Sequence, residues 1–319
     1  MNVQNVGGYQ TGIDYLPAAG KNIFERENVN FNVEEATAEK VNEGAIKTAE
    51  QKTQDIKDAY AVMTSGVGAS KAASKNETIQ IWLNQLGFYS GKVDGNLYTT
   101  ASKKALKNFQ RVYGLAQTGQ ISNMVQDKLK AATSCYRAVA SKSDLGTITS
   151  MVSGYSDFKE SEIRDYFAKT WAFFRVGMGL TVRQASGVLG NIMAESGCIP
   201  DNAKDTDTNK KLHDKDYKYN VSDGRGYGLI QWTIQKRKQL LKDTSSQMGL
   251  PVNDINAQFA CFRKETERDD MTKSAWKTLK EHDMIDTSTG IFLSKIENPK
   301  VQNFDERYSK AKIIYSVMK

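Results

Sequence analysis

Residues 190–197 read GNIMAESG, and the place of Glu195 in that run decides how the C-terminal half is read. The approach to it, Ala185-Ser186-Gly187-Val188-Leu189-Gly190-Asn191-Ile192-Met193-Ala194, is small and apolar. Val188, Ile192 and Glu195 fall at i, i+4 and i+7, so on a helix they share one face. A carboxylate that ends an apolar stripe and is followed by Ser-Gly sits where a helix runs into a cleft. Burying an ionised carboxylate costs several kcal/mol unless it is paired or takes a proton. Two readings of Glu195 follow. It anchors a partner structurally, or it is an acid held protonated for use.

The flanking sequence extends this picture on both sides. Ile163 to Val176 carries Tyr166, Phe167, Trp171, Phe173 and Phe174, an aromatic load that belongs in a core. Thr181 is placed to N-cap the helix leading to Glu195, with Gln184 at N3 completing a capping box. Beyond Glu195 the sequence turns polar, CIPDNAKDTDTNKKLHDKDYKYNVSDGRG, and predicts a long loop or a β-hairpin. Loops of that length in compact domains are usually functional or disordered. GYGLIQW at 226–232 then returns abruptly to apolar character.

Toward the N-terminus the chain divides by composition. Residues 1–75 are expected to be a disordered or helical segment with a linker. Its first 32 residues are polar and Gly/Asn-rich, and Val33 to about Met63 has few apolar anchors. TSGVGASKAASK at 64–75 reads as a flexible connector. Residues 76–133 predict three helices: one from Asn76 carrying Ile79, Trp82, Leu83 and Leu86 and stopping at Gly87, one carrying Ala105, Leu106, Phe109 and Val112 and stopping at Gly114, and one around Met124 to Ala132. LNQLGFYSGKVDG and FQRVYGLAQTGQIS form a weak internal repeat. Residues 134–156, rich in Ser, Thr, Ala and Gly, are expected to be a linker, and 157–319 is long enough for its own core.

Bulk properties narrow the function classes. No apolar run approaches the roughly 18–20 residues needed to span a bilayer, so no membrane role is expected. The N-terminus lacks the basic and apolar regions of a Sec signal, so work outside the cytoplasm would need another route, such as release by a non-classical one. The net charge of +7 favours a polyanionic partner. No nucleic-acid-binding signature accompanies it, so nucleic acid is not the expected partner. Three cysteines, Cys135, Cys198 and Cys261, and two histidines, His213 and His282, have no metal-site spacing, and neither metal nor cofactor is expected. They read as ordinary thiols, with a Cys198–Cys261 bridge left open.

Two resemblances carry the reading further. IQIWLNQLGFYSGKVDG through TTASKKALKNFQRVYGLAQTGQIS resembles the peptidoglycan-binding type 1 domain, a small three-helix module. It has no histidine, unlike some relatives, which argues against a metal-dependent variant. The C-terminal region resembles the lysozyme-like superfamily, and within it the phage tail lysozyme family. The G-N-I-x-x-E-S-G element stands at 190–197 and the G-L-x-Q-W element at 228–232, followed by Arg237 and Leu240. More weakly, Gln258 with Glu265 resembles the later Q-x(6)-E helix, and Ile296-Glu297-Asn298-Pro299 with Arg307 the closing F-E-x-P…R segment.

The resemblance implies a mainly α protein: a helical lysozyme-like domain with room for a small β-hairpin, preceded by the three-helix module. It implies a peptidoglycan hydrolase, a bacteriolytic muramidase that cleaves the β-1,4 bond between N-acetylmuramic acid and N-acetylglucosamine. Glu195 is then the general acid, its proton held by apolar surroundings. Gln231 is placed to hydrogen-bond an N-acetyl group, Tyr227 and Trp232 to stack on sugar rings, and the glycines to let a sugar approach the backbone. The second carboxylate is sought among Asp201, Asp205, Asp207, Asp214, Asp216 and Asp223, with Asp223 favoured because it immediately precedes the glycine-rich wall. Without a second carboxylate the outcome is a lytic transglycosylase with a 1,6-anhydro product. A further alternative is an inactive wall anchor in a phage tail, injection particle or flagellum, entered through the N-terminal segment. In the active reading the module tethers the catalytic domain to its substrate.

Overall fold

A computed structural model describes residues 74–152, 159–204, 211–212, 217–299 and 302–319. The expectations for residues 1–73, for Asp205, Asp207, Asp214 and Asp216, and for His213 lie outside the described residues.

The three module helices form where capping and glycine punctuation put them. Helix α1, Lys75–Gln85, starts at Ser74 in a capping box with Glu77. The chain leaves it through Gly87 at φ +79°. Helix α2, Thr100–Val112, is N-capped by Thr99, and Gly114 follows at φ +71°. Helix α3 runs Asn123–Ala140 from Ser122. Ile79, Trp82, Leu83, Leu106, Phe109, Val112 and Leu129 are buried between them. The internal repeat has a physical basis in two buried glutamines. Gln80 accepts from the amides of Asp94 and Gly95 at 2.9 and 2.8 Å. Gln110 accepts from that of Gly119 at 2.8 Å, so each glutamine holds one turn of the module.

The stretch expected as a linker is folded over most of its length. Helix α3 continues to Ala140, a 3-10 turn spans Ser143–Leu145, and the short α4 spans Gly146–Thr149. Val139, Leu145 and Ile148 are buried. Small residues here serve close packing, and a composition signal for flexibility does not distinguish the two. Helix α3 lies on α5, Glu160–Ala172, and the Tyr136 hydroxyl donates to Asp165 at 2.7 Å.

Residues 74–319 accordingly make one unit. Helix α5 runs into a π-turn at Phe173–Gly177 and is followed by α6, Val182–Glu195. The predicted Thr181–Gln184 capping box is present. A two-residue antiparallel ribbon then pairs β1, Ala203–Lys204, with β2, Lys211–Leu212. Five further elements complete the unit: α7 (Gln235–Met248), α8 (Ile255–Arg268), α9 (Asp270–Glu281), α10 (Ile285–Ile291) with a π-turn at Phe292–Glu297, and α11 (Phe304–Met318).

Helix α6 is the axis of the domain, with α10 and α11 packed along it. Its small residues explain the closeness. A Cβ on Gly187 would stand 2.7 Å from the Ile285 carbonyl, and one on Gly190 would stand 2.6 Å from the Arg307 carbonyl. The aromatic residues expected in the core are there: Phe173 stacks on Phe259 at 4.3 Å between centroids, and Phe174 meets Phe262 edge-on.

Polar side chains lock the module to α8 and its neighbours. Asn108 donates to the Met248 carbonyl at 3.1 Å and Asn256 to that of Leu86 at 3.0 Å. Arg263 donates to the carbonyls of Val112 and Gly177 at 2.7 and 2.6 Å. The three cysteines are free. Cys198 and Cys261 are both buried, and burial pushes the Cys198 thiol up to about 12. Among the described residues no helix is long and apolar enough to cross a membrane.

Candidate active site

The last residue of α6 is Glu195, and its side chain is 21% exposed. It borders a cleft of about 1220 Å³ whose walls include Gly226, Gln231, Arg237, Arg268, Asp269 and Glu297. That exceeds the roughly 300–1,000 Å³ common for small-molecule sites. Gly224 also lines the cleft, and a Cβ there would meet nothing within 4 Å.

The surroundings of Glu195 differ from the apolar pocket expected. The Arg307 guanidinium on α11 donates to Glu195 through Nη2. Through Nη1 it donates to Glu297 at 2.6 Å and to the side-chain oxygen of Asn191 at 3.3 Å. Arg237, the basic residue that follows the G-L-x-Q-W element, is committed elsewhere: its Nε and Nη2 reach Glu265 at 2.8 and 3.0 Å. Glu297 is 3% exposed, and burial pushes its carboxyl up to about 8, with Arg307 opposing and Glu195 adding to the shift.

The glycine-rich wall is a tight loop tied to the end of α6. Tyr227 and Trp232 exchange backbone hydrogen bonds at 3.2 and 2.9 Å. Between them Gly228 and Gln231 take left-handed conformations, at φ +76° and +51°. The Ser196 hydroxyl donates to the Leu229 carbonyl at 2.7 Å. Gln258 accepts from the Leu229 amide at 2.9 Å. A Cβ on Gly228 would stand 2.6 Å from the Gln258 oxygen, so that glycine makes room for Gln258 and not for a sugar.

Of the expected substrate contacts, Gln231 lines the cleft, with its amide nitrogen donating to the carbonyls of Asn202 and Gly228 at 3.2 and 2.9 Å. Tyr227 and Trp232 are different. Both are fully buried and offer no face to the cleft. Trp232 Nε1 donates to both Glu265 oxygens at 3.1 Å, and Tyr227 packs against Tyr217 and Tyr219. An aromatic ring beside glycines reads the same in sequence whether it faces a ligand or a core.

Asp223 is not among the residues lining the cleft. Its carboxylate, 18% exposed, meets the fully buried Lys238 ammonium at 2.6 Å. It also accepts from the Tyr217 hydroxyl at 2.7 Å and the Arg225 amide at 3.0 Å. Burial alone would raise the carboxyl, but Lys238, Tyr217 and the Arg225 amide outweigh it and hold it below the usual carboxylate range. The structure therefore gives Asp223 the role of an anchor for the loop. Asp201, the other described candidate, is half-buried in the turn that leads into β1.

What sequence reasoning missed is the set of groups that organise Glu195. Arg307 and Glu297 were visible only as weak matches to a closing motif, with nothing to connect them to a residue more than a hundred positions away. No group of His, Cys, Asp and Glu among the described residues is arranged to hold a metal ion.

The scaffold is thus helical, with a central helix that ends at a glutamate on the border of a cleft and beside a glycine-rich loop. Residues 166–318 match the family model described as phage tail lysozyme, and residues 74–129 match that of a peptidoglycan binding domain. The chain joins these two domains in that order, and peptidoglycan is its partner. No curated protein and no solved structure matches the chain at a significant level.

Proposed function

We propose that the cleft cleaves the β-1,4 bond between N-acetylmuramic acid and N-acetylglucosamine, with Glu195 as the general acid. The observation that carries this reading is the position of Glu195: it ends α6, keeps part of its carboxyl open, and borders a cleft of about 1220 Å³. Glycoside hydrolysis needs a proton delivered to the leaving oxygen. Once Glu195 has given up its proton, the Arg307 guanidinium already in contact with it stabilises the carboxylate that remains. Gln231, whose amide nitrogen is held by the Asn202 and Gly228 carbonyls, offers its side-chain oxygen to the N–H of an N-acetyl group.

A second reading, lytic transglycosylation, is favoured by the engagement of Asp223 with Lys238. With that carboxylate away from the cleft, attack by the sugar's own hydroxyl replaces attack by a base-activated water. Mass spectrometry of digested glycan separates the two. Reducing-end N-acetylmuramic acid means hydrolysis, and a product lighter by one water means transglycosylation. Intact glycan with continued sacculus binding would overturn both and leave a wall anchor. Assembly into a phage tail, injection particle or flagellum, through the N-terminal segment, completes the proposal.

A further inference from the structure

Glu297 has no part in the chemistry above, yet it is buried and shares with the acid the Arg307 guanidinium. It ends the π-turn Phe292–Glu297 and borders the cleft. One oxygen accepts from Arg307 at 2.6 Å, and the other, buried, has no hydrogen-bond partner among the described residues. Three charged groups act on it from other elements: Arg307 on α11, Glu195 on α6 and Arg237 on α7. Arg237 already serves Glu265 with two hydrogen bonds. A single guanidinium is thus shared between two carboxyls, one partly open to the cleft and one almost fully enclosed. Ionising both against one cation is unfavourable where solvent is excluded.

Resting on the assignment of Glu195 as the acid, we propose that Glu195 and Glu297 form a coupled acid, sharing one proton and the Arg307 counterion. Glu297 is the positioning residue: it retains the proton in the free protein and yields it to Glu195 when a sugar covers the cleft. The rise of the Glu297 carboxyl to about 8 agrees with a proton retained at neutral pH. A sugar that displaces water from Glu195, the more exposed partner, makes charge on Glu195 costlier and draws the proton to it. The proton then passes to the glycosidic oxygen as the bond to the anomeric carbon breaks. It is regained from the attacking water, or from the attacking sugar hydroxyl in transglycosylation, so no other reactant is needed.

The test is the pH dependence of wall lysis by full-length Glu297→Gln beside the wild type, with melting temperature measured at each pH. The wild type is expected to lose activity along an alkaline limb near pH 8. In Glu297→Gln that limb moves to lower pH by about one unit or more, while the melting temperature shows the variant folded at every pH where lysis is read. A merely structural Glu297 would leave the limb where it is, and an unmoved limb overturns the proposal. Should Glu297→Gln fail to fold, infrared titration of the wild type decides. A protonated carboxyl band persisting at neutral pH and vanishing near pH 8 supports the coupled acid, and its absence at neutral pH overturns it. Lysis retained by Glu195→Gln at pH 5 would overturn the acid assignment itself, independently of the Glu297 limb.

Discussion

Arg307, 5% exposed, is the cation around which the candidate site is built. It ties the ends of α6 and of the second π-turn to α11, and its burial makes the stoichiometry of charge around it consequential. The buried Glu297 carboxyl makes a prediction for stability. A carboxyl whose folded-state value lies above its unfolded one favours the folded state while it is protonated. That contribution is complete below the ordinary value of 4.5 and is lost as pH rises to about 8. Melting temperature should therefore fall between about pH 5 and pH 8, and Glu297→Gln should flatten the slope; an identical slope in the variant contradicts this. Asp223 makes a second. Asp223→Asn leaves the buried Lys238 ammonium without its counter-charge and should cost about 3–5 kcal/mol in chemical denaturation, with lysis tracking the folded fraction. Lysis abolished at unchanged stability would return Asp223 to the chemistry. That Glu195 and Gln231 border a cleft was legible in sequence because each sits in a short run whose periodicity or turn chemistry is local. The pairing with Arg307 was not, because ion pairs across elements leave no local pattern.

The decisive element is α6, and its glycines do two jobs. Gly187 admits the start of α10, and Gly190 admits α11, which carries Arg307 to Glu195. Gly190→Ala would place a Cβ 2.6 Å from a backbone carbonyl and 2.7 Å from the Ala311 Cβ. Neither obstacle is a flexible side-chain tip, so α11 must move. The expected loss is about 1–3 kcal/mol by denaturation, with lysis reduced further than stability because Arg307 shifts with the helix. An unchanged denaturation midpoint would show that the helices do not meet as described. The small apolar character of this helix and its capping box were readable from sequence. Which glycine faces which partner was not, since that depends on helices that follow about a hundred residues later. The same limit explains Gln258 and Glu265, whose spacing was noted without a role: they hold the Gly228–Leu229 turn and the Trp232–Arg237 pair from the neighbouring helix.

At the scale of the molecule, the described chain is one body in which the peptidoglycan-binding module is part of the packing. The sequence boundaries separated module from catalytic domain because composition shifts to Ser, Thr and Ala between them. Packing overrides that signal where Val139, Leu145 and Ile148 find a partner surface. A flexible tether is replaced by fixed geometry between the module and the cleft. The 155–319 fragment loses the carbonyl partners of Asn256 and Arg263. It should melt at lower temperature than residues 74–319 and digest soluble glycan more slowly. Equal melting temperatures would show the two parts to be independent.

The account turns on Glu195, and one variant tests it most directly. In Glu195→Gln the Glu297 carboxyl, already bonded to Arg307, gives up its proton and becomes the counter-ion, so no buried charge is left unpaired and the melting temperature should stay close to that of the wild type. The transferable proton is gone, and wall lysis should fall by at least the roughly 10²–10⁴ attributed to a positioned acid. Lysis at the wild-type rate from the folded variant would contradict the assignment of Glu195 as the acid.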